Sequence, residues 1–524
     1  MNDGMNDGMN SASLGGPELA EPHLGSVLSA AGLDAEYVRA EGNTLCLRDG
    51  DGQEVPVLDF VGGFGSLILG HNHPEIIRYA KELLDGRTPV HAQFSRHPYA
   101  NRAAAELDRI VRRETGTEEP YYAVFANTGA EAVEAAVKHA EFDRFRKVSA
   151  LGEEIDAHVE AARTAVRAGE AAVADGGPGI DDLIAEVVRH NAEQLSRPPL
   201  FLAPEGSFHG KLVGSVQLTH NPAFRVPFKA LAAQARFIPL DQPEQIAKVV
   251  EAERGVLLDL VTEGGSVTVV ERAFPVFCAF VLEPIQGEGG IRVVGEEFAR
   301  EVQRVCAEID CPVVVDEIQC GMGRSGAFLA SSLVGLRGDY YTLAKSLGGG
   351  IAKTSVTLIR ESRYCKDFEL VHSSTFAKDA FSTLIALKVL ELLEAGGGAA
   401  YRTVAERGER LREALEEVRA EFPGVVKEVR GKGLMLGFEF HDQSQSASEV
   451  IAGVSRAGFL GYTVAGHVLR AHRVRLFPTG SAVNTLRLEP SLYLTDDEIG
   501  RLCTALRGAC ALIRDADGEA LVRP

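Results

Sequence analysis

Between about residues 98 and 385, short apolar segments alternate with helical patterns, and this alternation limits the fold more than any other feature. YYAVFAN (121–127), FCAFVLEP (277–284) and PVVVD (312–316) are apolar runs of strand length. Such unbroken runs are typical of strands that are covered on both faces. Strands that alternate with helices in this way predict a mostly parallel α/β sheet.

The chain has 524 residues, which is too long for one hydrophobic core. We expect residues 98–385 to form a large α/β domain and residues 386–524 a smaller α+β domain. Residues 19–97 should contribute to the smaller domain. Residues 1–18 repeat MNDG and continue through Ser, Gly and Pro, so they are predicted to be a disordered leader.

A helical hairpin is predicted at residues 151–195, inserted into the α/β domain. Apolar residues recur at helical spacing from Leu151 to Val173, GGPG (176–179) interrupts the pattern, and a second apolar stripe begins at Ile180. One interpretation is a surface elaboration that packs on its own domain or extends a dimer interface. The alternative is that the hairpin shapes the substrate entrance or binds a macromolecular substrate carrier.

Charge and cysteine content exclude several classes of function. The sequence has 54 Lys and Arg against 74 Asp and Glu, a net charge of −20, which argues against a nucleic-acid partner. The sequence contains no uncharged apolar run of about 18 residues, the length that predicts a membrane span. No basic segment precedes an apolar one, as it would in a secretory signal. Eight scattered cysteines without a CxxC pair suit a reducing cytoplasm and predict no metal site.

The first segment that carries chemistry is NTGAEAVEAAVKHA, which begins at Asn127. A predicted strand ends here, a tight turn follows and a helix starts. The amides of Gly129 and Ala130, together with the helix dipole, would form a cradle for a phosphate group. Many α/β proteins make such a turn without a ligand, so the segment needs support from other residues.

Two further residues lie where a cofactor enzyme would need them. Asp316 ends the apolar run PVVVD, at the sheet edge where open α/β sheets bind ligands. Lys345 follows an apolar run and precedes three glycines, as expected for a partly desolvated lysine that forms a Schiff base. Taken alone, the aspartate could cap a turn, and most lysines are solvated surface residues.

With these motifs in this order, the sequence resembles the class III aminotransferases of the fold-type-I pyridoxal-phosphate enzymes, which include ornithine, acetylornithine and 4-aminobutyrate aminotransferases. The resemblance runs from about residue 40 to 500. Its motifs are LDFVGGFGSLILGHNHPEI, NTGAEAVEAA, SFHGK, EPIQGEGG, DEIQCGMGRSG, AKSLGGG, SSTF, RGKGLMLGFEF and LRLEPSL.

The resemblance implies a set of pyridoxal 5'-phosphate contacts in the first half of the large domain. Thr128, Gly129 and Ala130 match the phosphate loop of the family. Phe208 matches the aromatic ring that is stacked on the cofactor, and His209 stands beside it.

The resemblance also implies the residues around the ring and the reacting carbon. Glu283 and Asp316 match carboxylates near the pyridine ring, with Asp316 as partner of the ring nitrogen. Gln319 matches the residue beside the phenolic oxygen, and Lys345 the Schiff-base lysine. Thr375 resembles the residue that reaches the phosphate in the neighbouring subunit, which implies a homodimer with shared active sites.

The substrate contacts follow from the same comparison. Arg487 matches the arginine that clamps an α-carboxylate, and Glu288 the residue that neutralises it when no carboxylate is bound. Together they indicate glutamate or 2-oxoglutarate as one substrate. Lys211 stands where relatives have an arginine for a second carboxylate, so this contact is expected to be altered or lost. This and other departures suit a specialised biosynthetic enzyme.

Other reactions stay open at this point. Aminomutases, racemases, a decarboxylase and phospho-lyases of this family would all keep Lys345 and Asp316, although the pair Glu288 and Arg487 favours transamination. An NAD-dependent protein would need GxGxxG after a first strand, which the sequence lacks. A catalytically inactive scaffold would not need the lysine or the aspartate.

Overall fold

The computed structural model describes residues 21–92, 95–174, 179–231 and 234–523. The predicted leader and most of the GGPG break lie outside these ranges. Within them, no helix is long and apolar enough to cross a membrane. The described helices of eight or more residues are α1 (Pro22–Ala30), α2 (Pro74–Asp85), α3 (Pro98–Thr115), α4 (Gly129–Arg167), α5 (Ile180–Leu195), α6 (Gln245–Glu253), α7 (Glu296–Glu308), α8 (Ala380–Glu421), α9 (Glu449–Arg456), α10 (Leu460–His472) and α11 (Asp496–Arg514).

The described strands of four or more residues are β1 (Tyr37–Glu41), β2 (Thr44–Arg48), β3 (Glu54–Asp59), β4 (Tyr121–Ala126), β5 (Leu200–Pro204), β6 (Gln234–Ile238), β7 (Val256–Glu263), β8 (Ser266–Ala273), β9 (Phe277–Leu282), β10 (Val313–Asp316), β11 (Tyr340–Leu343), β12 (Ser355–Arg360), β13 (Val426–Lys432), β14 (Met435–Phe440) and β15 (Thr485–Leu488).

A seven-stranded sheet in the order β4-β12-β11-β10-β9-β5-β6 carries the site. The neighbouring strands β6, β5, β9, β10 and β11 are all parallel to one another. Strand β12 lies between β11 and β4 and is antiparallel to both. The prediction of a mostly parallel α/β sheet is therefore confirmed. Strands β9, β10 and β11 are buried along their whole length, which explains their unbroken apolar sequences.

Helix α4 is longer than the sequence pattern predicts. It starts at the Asn127–Ala130 turn and continues for 39 residues, so residues 151–167 belong to it and do not form a separate helix. The predicted hairpin thus consists of the C-terminal part of α4, residues 151–167, and the whole of α5. At 1.5 Å per residue, residue 151 lies about 33 Å along the helix axis from Gly129. This distance does not favour a role of the hairpin at the entrance to its own chain's site.

The hairpin packs on a part of the chain that is distant in sequence. Its buried residues Ile155 and Leu183 belong to the same apolar cluster as Leu257 on β7 and Val267 on β8. Strands β7 and β8 pair antiparallel, and Ala172–Val173 adds a third strand. We call residues 151–195 together with β7 and β8 the insert.

The C-terminal part contains the sheet that carries Arg487. Strands β13, β14 and β15 pair in this order, with Phe477–Pro478 at the edge. The neighbouring Val474–Arg475 pairs with β3 and joins the sheet of β1 to β3, which ties the N-terminal strands to the C-terminal part. Helix α8 breaks at residues 395–398, where Ala395 and the three following glycines leave the helical conformation.

Candidate active site

Asp316 is the last residue of β10 and lies buried at the carboxyl edge of the large sheet. One oxygen, Oδ2, is 2.8 Å from Nδ1 of His209. The other, Oδ1, accepts hydrogen bonds from the hydroxyl of Thr342 and the backbone amide of Ile318, each at 3.1 Å. Because these partners hold both oxygens, the carboxylate stays buried and fixed in orientation.

Glu283 and His209 form a buried pair with linked protonation beside Asp316. Glu283 accepts the amides of Phe208 and Gly287, each at 2.9 Å. Burial raises the pKa of Glu283 to about 7, with the charge of His209 opposing the rise and that of Asp316 adding to it. Burial alone would lower the pKa of His209, but the hydrogen bond and charge of Asp316 and the charge of Glu283 outweigh it and raise this pKa.

The phosphate turn is built by a capping box. The hydroxyl of Thr128 accepts the amide of Glu131 at 3.3 Å, while the carboxylate of Glu131 accepts the amide of Thr128 at 2.9 Å. As expected for the first turn of a helix, the amides of Gly129 and Ala130 donate to no group among the described residues. These two amides are therefore available to an anion.

The SFHG turn presses against the phosphate turn. Gly210 has a φ of 117°, and a Cβ added there would lie 2.7 Å from the Cβ of Ala130. Only glycine permits both this conformation and this approach. The contact brings the SFHG turn, whose His209 is hydrogen-bonded to Asp316, against the phosphate turn.

Lys345 lies two residues after the end of β11 and has a φ of 44°, in the left-handed region that costs a non-glycine residue about 1–2 kcal/mol. Such strain is typical of functional positions. Burial lowers the pKa of Lys345, against the opposing charges of Glu489 and Glu288. A lysine with a lowered pKa has more of its amine neutral, and therefore reactive, at a given pH.

Arg487 and Glu288 form a bidentate ion pair. The two terminal nitrogens of the buried arginine lie 2.7 and 2.6 Å from the two carboxylate oxygens. Burial alone would raise the pKa of Glu288, but the charge and hydrogen bonds of Arg487 outweigh it, so the pKa of Glu288 is lowered. A carboxylate of the chain thus already occupies the arginine.

Glu489 is a site residue that the sequence analysis did not identify. It is completely buried, and its Oε1 accepts the side-chain amide of Gln319 at 2.8 Å. Its Oε2 is buried without a hydrogen-bond partner among the described residues. Its position two residues after Arg487, in the quoted LRLEPSL motif, was the available signal, because a charged residue is rare in a buried strand end.

Arg324, in GMGRSG, was also missed and is completely buried. It donates to the carbonyls of Leu434 (3.2 Å), Gly65 (3.4 Å) and Pro490. Burial lowers its pKa to about 10, with the charge of Glu489 opposing. The side chain thereby fixes the loop that follows Glu489 against the VGGFG segment.

Aromatic side chains line the outside of the Arg487 pair. The ring of Phe64 lies 4.8 Å from the guanidinium carbon of Arg487. Phe64 and Tyr462 each meet Phe477 edge to face, with ring centroids 5.6 and 5.4 Å apart. Phe64 is 39% exposed, so the wall faces open space.

Lys211 and the segment next to Thr375 line a cavity beside the phosphate turn. Lys211 has its Nζ 4.3 Å above the ring of Phe224 and lines a cavity of about 670 Å³ together with Glu134 and Ser374. Ser374, next to Thr375, accepts a hydrogen bond from Asn127 of the same chain at 2.9 Å. A contribution of Thr375 to a neighbouring subunit stays a prediction.

The residues present fit pyridoxal phosphate. Free amides at Gly129 and Ala130 suit its phosphate, buried Asp316 suits a protonated ring nitrogen, and the amine of Lys345 suits its aldehyde.

Known proteins match the chain over nearly its whole length. The family model "Aminotransferase class-III" matches residues 29–510. Similar solved structures include an amine transaminase from an uncultivated Pseudomonas species in its PLP-bound form (21% identity, 95% of this chain and 97% of that one, TM-score 0.68). Others are ornithine aminotransferase from Toxoplasma gondii (20%, 93% and 92%, 0.66) and N-acetylornithine aminotransferase from Stenotrophomonas maltophilia (23%, 94% and 100%, 0.60).

Proposed function

The chain belongs to the class III aminotransferase family and is a pyridoxal-phosphate-dependent transaminase, and from this premise we propose that glutamate, or 2-oxoglutarate in the reverse direction, is one of its two substrates. The bidentate pair of Glu288 with Arg487 carries this proposal. The second substrate would be an amine or aldehyde without a carboxylate at this position.

Four side chains of the site have a role in such a reaction. The bound cofactor supplies an electron sink for the carbon that carries the reacting nitrogen. Asp316 holds the proton at the ring nitrogen, and His209 and Thr342 hold Asp316. The amine of Lys345 takes the proton from the substrate carbon and returns it at the acceptor carbon, for which its lowered pKa suits it.

Arg487 gives the site two states. When Glu288 turns away, the guanidinium can bind an α-carboxylate through two parallel hydrogen bonds. When Glu288 returns, the arginine is neutralised and the site accepts a substrate without that group. To turn away, Glu288 must also release the backbone amide of Gly480, which donates to its Oε2 at 2.5 Å.

Arg487→Gln tests the proposal. We expect kcat/KM for the half-reaction with glutamate to fall by roughly 100-fold, because two charge-assisted hydrogen bonds are lost. The half-reaction with 1-aminobutane, which has no carboxylate, should change far less. Both are measured by stopped-flow absorbance of the cofactor, with the exposed Arg292→Gln as control. An unchanged rate with glutamate would refute the role of Arg487, and no reaction with glutamate in the wild type would refute the proposal.

Three finer features belong to the same proposal. The active form is a homodimer in which Thr375 of one subunit serves the phosphate site of the other. The enzyme works in the cytoplasm, which the eight free, buried thiols support. Its role is biosynthetic, since Lys211 stands where relatives have an arginine.

A further inference from the structure

Arg430 and Arg487 lie on the same face of the C-terminal sheet. Arg430 on β13 stands opposite Gly437 on β14, and Gly437 stands opposite Arg487 on β15. Residues that stand opposite each other on neighbouring strands point to one face of the sheet. The two arginines therefore flank a position that has no side chain of its own.

The turn that carries Glu288 rests on this position. We call residues 286–290, QGEGG, the Glu288 turn. A Cβ added at Gly437 would lie 3.0 Å from the Cβ of Ile291, the residue that follows the turn. Ile291 is completely buried and has a φ of 56°, a conformation that a β-branched residue keeps only where its surroundings hold it. The contact therefore fixes the end of the turn against the sheet.

Arg430 ties this turn to the strand of Arg487. Its Nε donates to the carbonyl of Gly290 at 2.6 Å, and its Nη2 donates to the hydroxyl of Thr485 at 3.0 Å. Gly290 comes two residues after Glu288, and Thr485 comes two residues before Arg487. One guanidinium thus joins a residue next to each member of the Glu288–Arg487 pair.

The charge of Arg430 is already neutralised by the chain. Its Nη1 donates to Glu428 at 2.7 Å and also to Glu439, and the side chain is 12% exposed. A planar guanidinium makes these bonds in fixed directions, which a lysine amine does not reproduce. Arg430 is therefore built to hold its neighbours in position, while Arg487 is left to meet a substrate carboxylate.

The backbone of the Glu288 turn is held independently of the Glu288 carboxylate. When an α-carboxylate binds, this carboxylate has to leave Arg487. The backbone carbonyl of Glu288 is bound by the amide of Ser481 at 3.0 Å, and that of Gly290 by Arg430. Neither bond involves the carboxylate, so both can persist while the side chain turns away.

We propose that Arg430 is a positioning residue that keeps the Glu288 turn and the strand of Arg487 at a fixed separation, so that an α-carboxylate displaces the side chain of Glu288 without moving its backbone. The inference rests on the proposed exchange at Arg487 and assigns a residue on which that exchange depends. A substrate without a carboxylate leaves the Glu288–Arg487 pair intact and does not depend on Arg430.

The test uses the loaded enzyme and measures the half-reactions with glutamate and 1-aminobutane, together with the calorimetric Kd of glutarate, a dicarboxylate without an amine. We expect Arg430→Gln to lower kcat/KM with glutamate about 10-fold, mainly through KM, and to raise the Kd of glutarate by a similar factor, since the bonds that hold the binding geometry are lost. The half-reaction with 1-aminobutane should stay within about twofold. An equal loss with both substrates would indicate general destabilisation and overturn the proposal.

Three variants separate position from charge. Arg430→Lys keeps the charge without the planar fork and should behave like Arg430→Gln. Thr485→Val removes one of the two connecting bonds and should give a smaller loss with glutamate alone, which decides the question if Arg430→Gln does not fold. Lys427→Gln is the control, because Lys427 pairs with the same Glu439 at 2.8 Å and is half exposed, and it should leave all three measurements unchanged.

A double-mutant cycle shows whether Arg430 acts through Arg487. In an Arg487→Gln background, Arg430→Gln should cause no further loss of kcat/KM with glutamate. Additive losses, or wild-type behaviour of Arg430→Lys, would overturn the inference and leave the glutamate proposal intact. A wild type that reacts with L-alanine and not with glutamate would refute the glutamate proposal, and the same comparison with L-alanine would still test Arg430.

Discussion

At the scale of single residues, the site is held by buried carboxylates that differ in their partners. Asp316 is paired with His209, Glu288 with Arg487, and Glu489 with an amide on one oxygen only. Glu283 accepts two backbone amides and faces His209 without a direct hydrogen bond among those described. Differences of this kind separate a carboxylate that holds a proton from one that holds a cation.

Glu283→Gln should change how stability depends on pH. The pKa of Glu283 is raised to about 7 in the folded protein, against an ordinary value near 4.5. A raised pKa stabilises the fold below pH 4.5, and this contribution is lost as the pH rises towards 7. The stability of the variant relative to the wild type should therefore increase between pH 5 and 7, by at most about 3 kcal/mol.

Urea denaturation at fixed protein concentration, in steps from pH 5 to 8, measures this difference. The variant has a constant cost as well, because an amide cannot accept both backbone N–H groups of Phe208 and Gly287. Only the change with pH is informative. A difference that is flat over this range would mean that Glu283 is already ionised at pH 5 in the folded protein.

Sequence motifs identified the site residues whose position is clear from the neighbouring sequence. They missed the residues whose role depends on contacts with distant parts of the chain. Asp316 and Lys345 were identifiable because the first ends an apolar strand and the second comes two residues after another, and both strand ends are visible in the sequence. Glu489 depends on Gln319, 170 positions earlier, and Arg324 on three carbonyls from separate segments. No periodicity records such pairings.

At the scale of elements, the same reason explains the insert. The apolar stripe correctly predicted helix at residues 151–167 and 180–195, because a helix buries one face at a regular spacing. It was wrong at Ala172–Val173, which form a strand beside β8. The stripe does not reveal that the partner is the β7–β8 hairpin, more than 60 residues further along the chain. The first arm in fact continues α4, and no proline interrupts residues 129–167.

Asp259→Ala should loosen the insert and leave the active site unchanged. Asp259 on β7 is completely buried and joins His158 of α4 at 3.0 Å to Arg272 of β8 at 2.8 Å. Because both partners are partly exposed and Arg272 also contacts Glu154, we expect a local loss of about 1–3 kcal/mol.

Hydrogen exchange checks this expectation. Amides of β7, β8 and the end of α4 should exchange faster, while those of β10 and β11 keep their protection and turnover stays within twofold. Glu154→Gln, which removes the more exposed contact of Arg272, is the matched control and should have a smaller effect. Slower turnover in Asp259→Ala would show that the insert is coupled to the site despite its distance.

At the scale of the whole molecule, the chain has exposed apolar side chains close to the phosphate turn. Leu212, Val213 and Phe228 line the cavity that contains Lys211 and Ser374 and are 44%, 54% and 52% exposed. Such a patch beside a functional cavity is typical of a protein–protein interface. It supports the proposed homodimer, in which a second copy covers this edge of the site.

Leu370→Asp tests the homodimer at a position where a substitution should hardly change the stability of a monomer. Leu370 is 88% exposed, five residues before Thr375, and in a monomer an aspartate there should change stability by less than about 0.5 kcal/mol. If the segment is buried between subunits, an aspartate must be desolvated and the dimer should dissociate. Sedimentation velocity should then show a monomer, with weaker retention of the cofactor because Thr375 no longer reaches the partner's phosphate site. Val188→Asp, on the equally apolar but distant surface of α5, should leave both measurements unchanged. An active wild-type monomer would contradict the homodimer outright, whereas a dimer that tolerates Leu370→Asp would place its interface elsewhere.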